Sequence, residues 1–301
     1  MIQRQTQSTT GYLFVLAATL IWSGNFIVAR GLSDSIPPVT IAFLRGLIAV
    51  VVLIPFGIRP LCRDIKIVRK HLGYLALTGF FGLTLCNTLI YIAAHSSKAL
   101  NMTLIALCSP IFMAVFARLF LHDTFTSRRI VGLITAAFGA VLLITDGHLS
   151  RLLSLTFSEG DVWMLIQAAT FAVYGILVQV RPAELSQSVC LSSMFILGWL
   201  FLVPWVGWEL TGVKSISFST TAIGAIVYLG VGPGLLAFFC WNRAIAIIGP
   251  VRAGLVYYCL PLFSGVEAFL LLNEPVHWVH VLSGVLILAG VIVATRERKL
   301  C

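Results

Sequence analysis

Of 301 residues, 59% are hydrophobic and 10% charged, against about 45–50% apolar and about 25% charged in an ordinary soluble domain. That much apolar surface cannot be hidden from water, so a soluble enzyme, a disordered tail and a fibrous repeat are excluded and the chain belongs in a lipid bilayer. The net charge of +9 does not point to nucleic acid, because no basic stripe with interleaved aromatics accompanies it.

Apolar runs between charged or Pro/Gly breaks predict ten transmembrane helices of about 20 residues each. They fall near 12–30, 40–57, 73–93, 98–121, 129–146, 160–180, 188–206, 219–241, 249–272 and 277–295. The first run is too long for a signal-peptide core and nine more follow, so it reads as a retained helix. Trp22 and Asn25, three apart, share one of its faces. The second carries Arg45, five residues in from its outer end. The third carries Asn87 and Tyr91, four apart. Pro110 interrupts the fourth, and Asp123 after it is placed to cap the fifth. Gln167, Phe171 and Tyr174 make a stripe on the sixth, while Gly160 and Asp161 ahead of it carry no signal. Gly230, Gly232, Pro233 and Gly234 break the eighth. In the ninth, Tyr257 and Tyr258 precede Pro261, and Glu267 is the one acid well inside an apolar run. His277 and His280 at the outer end of the tenth lack further ligands and read as interfacial residues. Seven scattered Cys without a CxxC give neither a disulfide framework nor a zinc site, and no metal or cofactor is expected.

Basic residues set the orientation. With the N-terminus cytoplasmic, fourteen Lys and Arg fall on the inner side, five of them from Arg59 to Lys70. Four fall outside: Arg30, Lys98, Arg151 and Lys214. This is a positive-inside bias, and it places both termini in the cytoplasm. The chain also repeats. Cys108-Ser-Pro110 matches Cys259-Leu-Pro261 at a shift of 151, which also carries Gly73, Gly79, Asp123 and Gly139 onto Gly224, Gly230, Glu274 and Gly290. A shift of 149 carries Asn25 onto Tyr174 and Pro55 onto Pro204. The fold expected is therefore all-α, ten helices in two five-helix repeats, 1–147 and 148–301. Five being odd, the second repeat is inverted, as in many secondary transporters.

Polar side chains inside spans are costly and normally face protein or a watery cavity. Trp22, Asn25, Asn87, Tyr91, Gln167, Phe171, Tyr174, Tyr257 and Tyr258 are the candidates for a cleft that binds substrate. Each can instead bond helix to helix or sit in an interfacial belt. Arg45 and Glu267 lie at equal depth below the outer boundary and bear opposite charge. They are expected to form an ion pair, or a network with hydroxyls, as a strut between two helices or as a coupling site or gate; the alternative is two charges that each snorkel to the interface. Pro110, Gly232, Pro233 and Pro261 are candidate hinges.

Trp22-Ser-Gly-Asn25-Phe resembles the W-G-x-N-F signature of the EamA-type drug/metabolite transporters. The stretch from Pro110 through Leu119-Phe-Leu-His-Asp123 to Gly132 and Gly139 resembles that family's P…LFLGE…G…G module. Pro261 through Leu270-Leu-Leu-Asn-Glu274 to Gly284 and Gly290 repeats it. Arg45 sits where the family usually carries an arginine. Two departures, His122-Asp123 for Gly-Glu and Asn273 for the Gly before Glu274, lie at helix ends, where Asn and Asp suit turns. The resemblance implies a carrier for small polar metabolites or amino acids, most often an exporter, in the bacterial inner membrane.

The expected function is thus alternating-access transport of a small polar solute, driven by the solute's own gradient or by protons, in a monomer or a homodimer. An importer of a nucleotide derivative would want more basic residues in the cleft. An intramembrane transferase would want a clustered acid, base or nucleophile, and none is visible. No Walker loop, GxSxG or HExxH occurs.

Overall fold

The computed structural model describes residues 2–124, 126–153, 156–213, 216, 218–272 and 277–295. Glu274 and Asn273, with Lys214 and the basic residues after Thr295, lie outside that set. The described residues form helices and no strand, as a lipid environment demands of backbone that must bond internally. Among the described residues, nine segments are long and apolar enough to cross a bilayer: Thr9–Leu32, Pro38–Arg63, Leu72–Ser96, Ala99–Phe120, Ser127–Ile144, Glu159–Gln179, Gln187–Thr211, Thr220–Ile248 and Trp278–Thr295. The predicted ninth helix is instead a broken rod, Pro250–Tyr257 and Leu260–Leu272. It breaks at Tyr258–Cys259 because Pro261 has no N–H to give the preceding turn. The fourth span is broken likewise at Leu107–Cys108, before Pro110.

Polarity runs inside out relative to a soluble protein. Phe56 and Trp208 are 75% and 81% exposed, while Thr19, Thr78, Thr84 and Thr88 are fully buried. Thr19 and Thr78 donate to carbonyls one turn back, so their hydroxyls cost little in an apolar setting. Small residues let backbones touch. The fifth span meets the last helix through Gly132, Gly139 and Gly290, where an added Cβ would run into the facing backbone. A Cβ on Gly79 would stand 2.7 Å from the Met194 carbonyl oxygen of the seventh span. One on Gly230 would stand 2.9 Å from the Arg45 carbonyl oxygen of the second. These are the sequence shifts met again in space: Gly79 and Gly230 are 151 apart, and Arg45 and Met194 are 149 apart.

Two segments of π-helix, Phe80–Leu85 and Gly230–Leu236, follow directly from those contacts. The second reflects Pro233. The first, without a proline, was not legible beforehand although it falls at the same shift. Such insertions widen the helix and free carbonyls for other partners. In the first span, a turn at Gly24 separates Ile2–Ser23 from Asn25–Leu32.

Several helix-end expectations are corrected. Thr126, not Asp123, caps the fifth span by accepting from Arg129 N; Asp123 pairs with the Arg129 guanidinium at 2.9 Å. His122 occupies a left-handed conformation, φ 55°, one that glycine adopts at lower cost. Asp161, passed over in sequence, completes a capping box with Ser158 and accepts from Ser97 and Asn101 Nδ2, buried at the corner of three spans. Glu209 reaches across from the seventh span to accept from Val39 N, Thr40 N and Thr40 Oγ1 at 2.7–2.9 Å. It neutralises the start of the second helix, where N–H groups lack partners.

Candidate functional site

Side chains of six elements, polar ones from five of them, meet in one cleft. Trp22, Asn25 and Phe26 come from the first span, Arg45 from the second, and Cys86, Asn87 and Ile90 from the third. Gln167 and Phe171 come from the sixth, Phe238 from the eighth and Tyr257 from the broken rod. The cleft spans about 370 Å³ with its mouth included. Its interior free space of about 30 Å³ admits a couple of waters rather than a solute. Another hollow lies between Ala114, Leu133, Val251 and Leu255; its polar lining is Thr124 and the Asp123–Arg129 pair, which are bonded to one another.

One wall is aromatic. Trp22 stands edge-on to Phe171 (5.5 Å between centroids) and Phe238 (5.6 Å), and tilted against Trp241 (5.3 Å). Phe171 stacks on Trp241 at 5.0 Å. Trp22 Nε1 donates to the carbonyl of Pro233, within the second π-segment, at 3.0 Å. Asn87 does the same service for the first π-segment, donating to the Leu83 and Gly82 carbonyls at 2.8 and 3.3 Å. Gln167 Nε2 donates to Cys86 Sγ at 3.0 Å.

The opposite side is charged. Arg45 is 3% exposed. Its Nη1 donates to Tyr91 Oη at 2.7 Å, and its guanidinium lies over the Tyr91 ring. Its Nη2 is buried without a partner, as is Asn25 Oδ1. Arg45 is the one charged residue among those lining the cleft.

Of the nine candidate binding residues, Trp22, Asn25, Asn87, Gln167, Phe171 and Tyr257 line this space. Tyr91, Tyr174 and Tyr258 do not. Tyr91 stands behind Arg45, and Tyr174 donates to Asn242 Oδ1 behind Phe171. Tyr258 is fully buried with its hydroxyl unpartnered. The expected Arg45–Glu267 pair is not formed: no carboxylate lies within 4.0 Å of Arg45 among the described residues. Equal depth did not mean equal azimuth. Glu267 instead accepts from Ser23 Oγ, and Ser264 Oγ donates to Ser23 O at 3.0 Å, so the broken rod grips the first span beside its Gly24 turn. Phe26, Cys86, Ile90 and Phe238 were missed, being apolar residues in apolar helices. Pro110 and Pro261 open the second pieces of their broken spans, and Gly232 and Pro233 lie in the π-segment.

Many apolar helices enclosing a narrow polar cleft define a multi-pass membrane protein. A family model described as "EamA-like transporter family" matches residues 9–145 and again 158–296, and the chain belongs to that family. A protein of Archaeoglobus fulgidus named an uncharacterized transporter is 26% identical over 290 residues, covering 95% of this chain and 98% of its own. The uncharacterized transporter YyaM of Bacillus subtilis is 24% identical, over 94% and 93%. A probable terminal-alkyne amino-acid exporter of Streptantibioticus cattleyicolor is 25% identical, over 95% and 93%. A solved crystal structure shares the fold at a TM-score of 0.76 and 20% identity, covering 95% of this chain and 96% of that one.

Proposed function

We propose that the protein is a secondary transporter that exports amino acids or related small metabolites by alternating access through the Trp22–Asn25–Arg45 cleft. The observation that carries this reading is the cleft itself. Polar groups from five elements converge inside an apolar bundle, where each is costly unless used. The name of the S. cattleyicolor relative supports the cargo class. The architecture proposed is ten transmembrane helices, counting the broken rod, in two inverted five-helix repeats, 1–147 and 148–301. The reciprocal backbone contacts at Gly79 and Gly230, the paired π-segments and the paired breaks before Pro110 and Pro261 support that arrangement. In it both termini face the cytoplasm of a bacterial inner membrane. Contacts between loops agree: Lys70 with Glu184 and Arg243 with Gln187 join segments assigned inside, and Asp161 with Ser97 joins segments assigned outside.

In this reading the two broken spans and the Gly230–Leu236 segment are the joints, since each is a place where helix bonding is already interrupted. Glu267 with Ser23 forms an outer latch between the broken rod and the first span, and is the candidate coupling group for protons. The test is counterflow in proteoliposomes with a panel of labelled amino acids and nucleotides, repeated for Glu267→Gln under an imposed pH gradient. Exchange of amino acids supports the carrier, and failure to exchange any solute refutes it. A gradient dependence unchanged by Glu267→Gln removes Glu267 from coupling.

A further inference from the structure

We propose that Arg45 and Asn25 form the pole of the cleft that takes the carboxylate and ammonium groups of an α-amino acid, which rests on the carrier reading and narrows its cargo. A guanidinium stays charged at any physiological pH, and an uncompensated charge in apolar surroundings is costly. Arg45 has one donor on Tyr91 and leaves Nη2 buried and unpartnered. Asn25 Oδ1, on the same cleft, is a buried acceptor without a donor.

The equivalent positions in the other half show a closed version of the same cluster. The 149 shift carries Asn25 and Arg45 onto Tyr174 and Met194, and the 151 shift carries Tyr91 onto Asn242. There Tyr174 Oη donates to Asn242 Oδ1, and the two approach Met194 Sδ at 3.6 and 3.9 Å. That trio is neutral, bonded to itself and off the cleft. Its counterpart replaces the thioether by a cation and leaves one charged donor and one acceptor unmatched. An α-amino acid supplies the missing acceptor and donor on neighbouring groups, its carboxylate to Arg45 and its ammonium to Asn25. A phosphate supplies acceptors only, and no second cation lines the cleft to help hold it. Trp22, Phe171 and Tyr257 line the cleft and offer an apolar wall to the side chain.

The test compares wild-type counterflow of L-phenylalanine and L-leucine with that of their amides and of phenethylamine and isopentylamine. The two acids should exchange, and the amides and amines should run slower by about tenfold to a hundredfold, the worth of a lost charge-assisted hydrogen bond. Arg45→Met, which copies the residue at the equivalent position, should lower acid flux by a similar factor and narrow the acid-to-amide ratio. The wild-type ratio stands alone if that variant does not fold. Equal flux of acids and amides, or flux of amines without acids, overturns the assignment and leaves the carrier reading intact. No flux of any of these probes while another solute of the panel exchanges overturns the assignment alone, and no flux of any solute overturns both.

Discussion

Replacing Gly230 by alanine tests whether the second and eighth spans meet backbone to side chain beside the cleft. The added Cβ would stand 2.7 Å from Ile48 Cβ and Cγ2 and 2.9 Å from the Arg45 carbonyl oxygen, where comfortable contact needs about 3.5–4.0 Å. Close to an ångström must be found. One of the obstacles is backbone, so the two spans have to separate. Overpacking of this kind costs about 1–3 kcal/mol. Gly79→Ala meets the matching obstacle, 2.7 Å from Met194 O and 3.1 Å from Gly198 N, and should cost about the same. Gly224→Ala lies on the same span as Gly230 with nothing within 4 Å. Alanine's helix propensity, better than glycine's by about 1 kcal/mol, should leave that variant neutral or slightly more stable. The assay is thermal unfolding of the three purified variants in one detergent. Both Gly79→Ala and Gly230→Ala should melt several degrees below wild type while Gly224→Ala does not. A Gly230→Ala protein that melts with Gly224→Ala would refute the close approach, and with it the seat proposed for Arg45.

Trp22→Phe keeps the ring contacts but strips the donor from the Pro233 carbonyl, and should cost about 1 kcal/mol. A melting point no lower than that of the lipid-facing control Trp205→Phe would show that this bond contributes nothing. Glu184 accepts from Lys70 at 2.7 Å and contacts His71 at 3.1 Å, and these neighbours hold its carboxyl below the ordinary carboxylate range. A depressed native pKa stabilises above the unfolded value of about 4.3 and is lost as pH falls through the native one. Wild type should therefore melt above Glu184→Gln at neutral pH, and the two should converge in acid; a gap that persisted there would assign the effect to something other than charge.

What the sequence made legible follows from cost. A run of about 20 apolar residues has one cheap location, so the spans were readable. A lone Asn, Gln or Arg inside such a run must be used, so Asn25, Asn87, Gln167 and Arg45 could be picked out as site candidates. Cost does not say what satisfies the group. Tyr174 found Asn242 and Tyr91 found Arg45, both of them protein partners rather than cleft space. Depth along a helix was readable for Glu267, but the direction it faces depends on neighbours, and it met Ser23. Phe26, Ile90 and Phe238 carry no mark distinguishing a cleft wall from a lipid face. The Phe80–Leu85 π-segment has no proline to announce it, and only the 151 shift from Gly230–Leu236 points there.

Alternation of the cleft between the two sides of the membrane is tested most directly at Cys86. This native cysteine lines the cleft, where Gln167 bonds its sulfur. With the other six cysteines replaced, a membrane-impermeant methanethiosulfonate is applied in turn to each side of vesicles holding the protein. An alternating carrier predicts that Cys86 is modified from either side, more slowly when L-phenylalanine is present. Modification from neither side, or from one side alone under every condition, would contradict it.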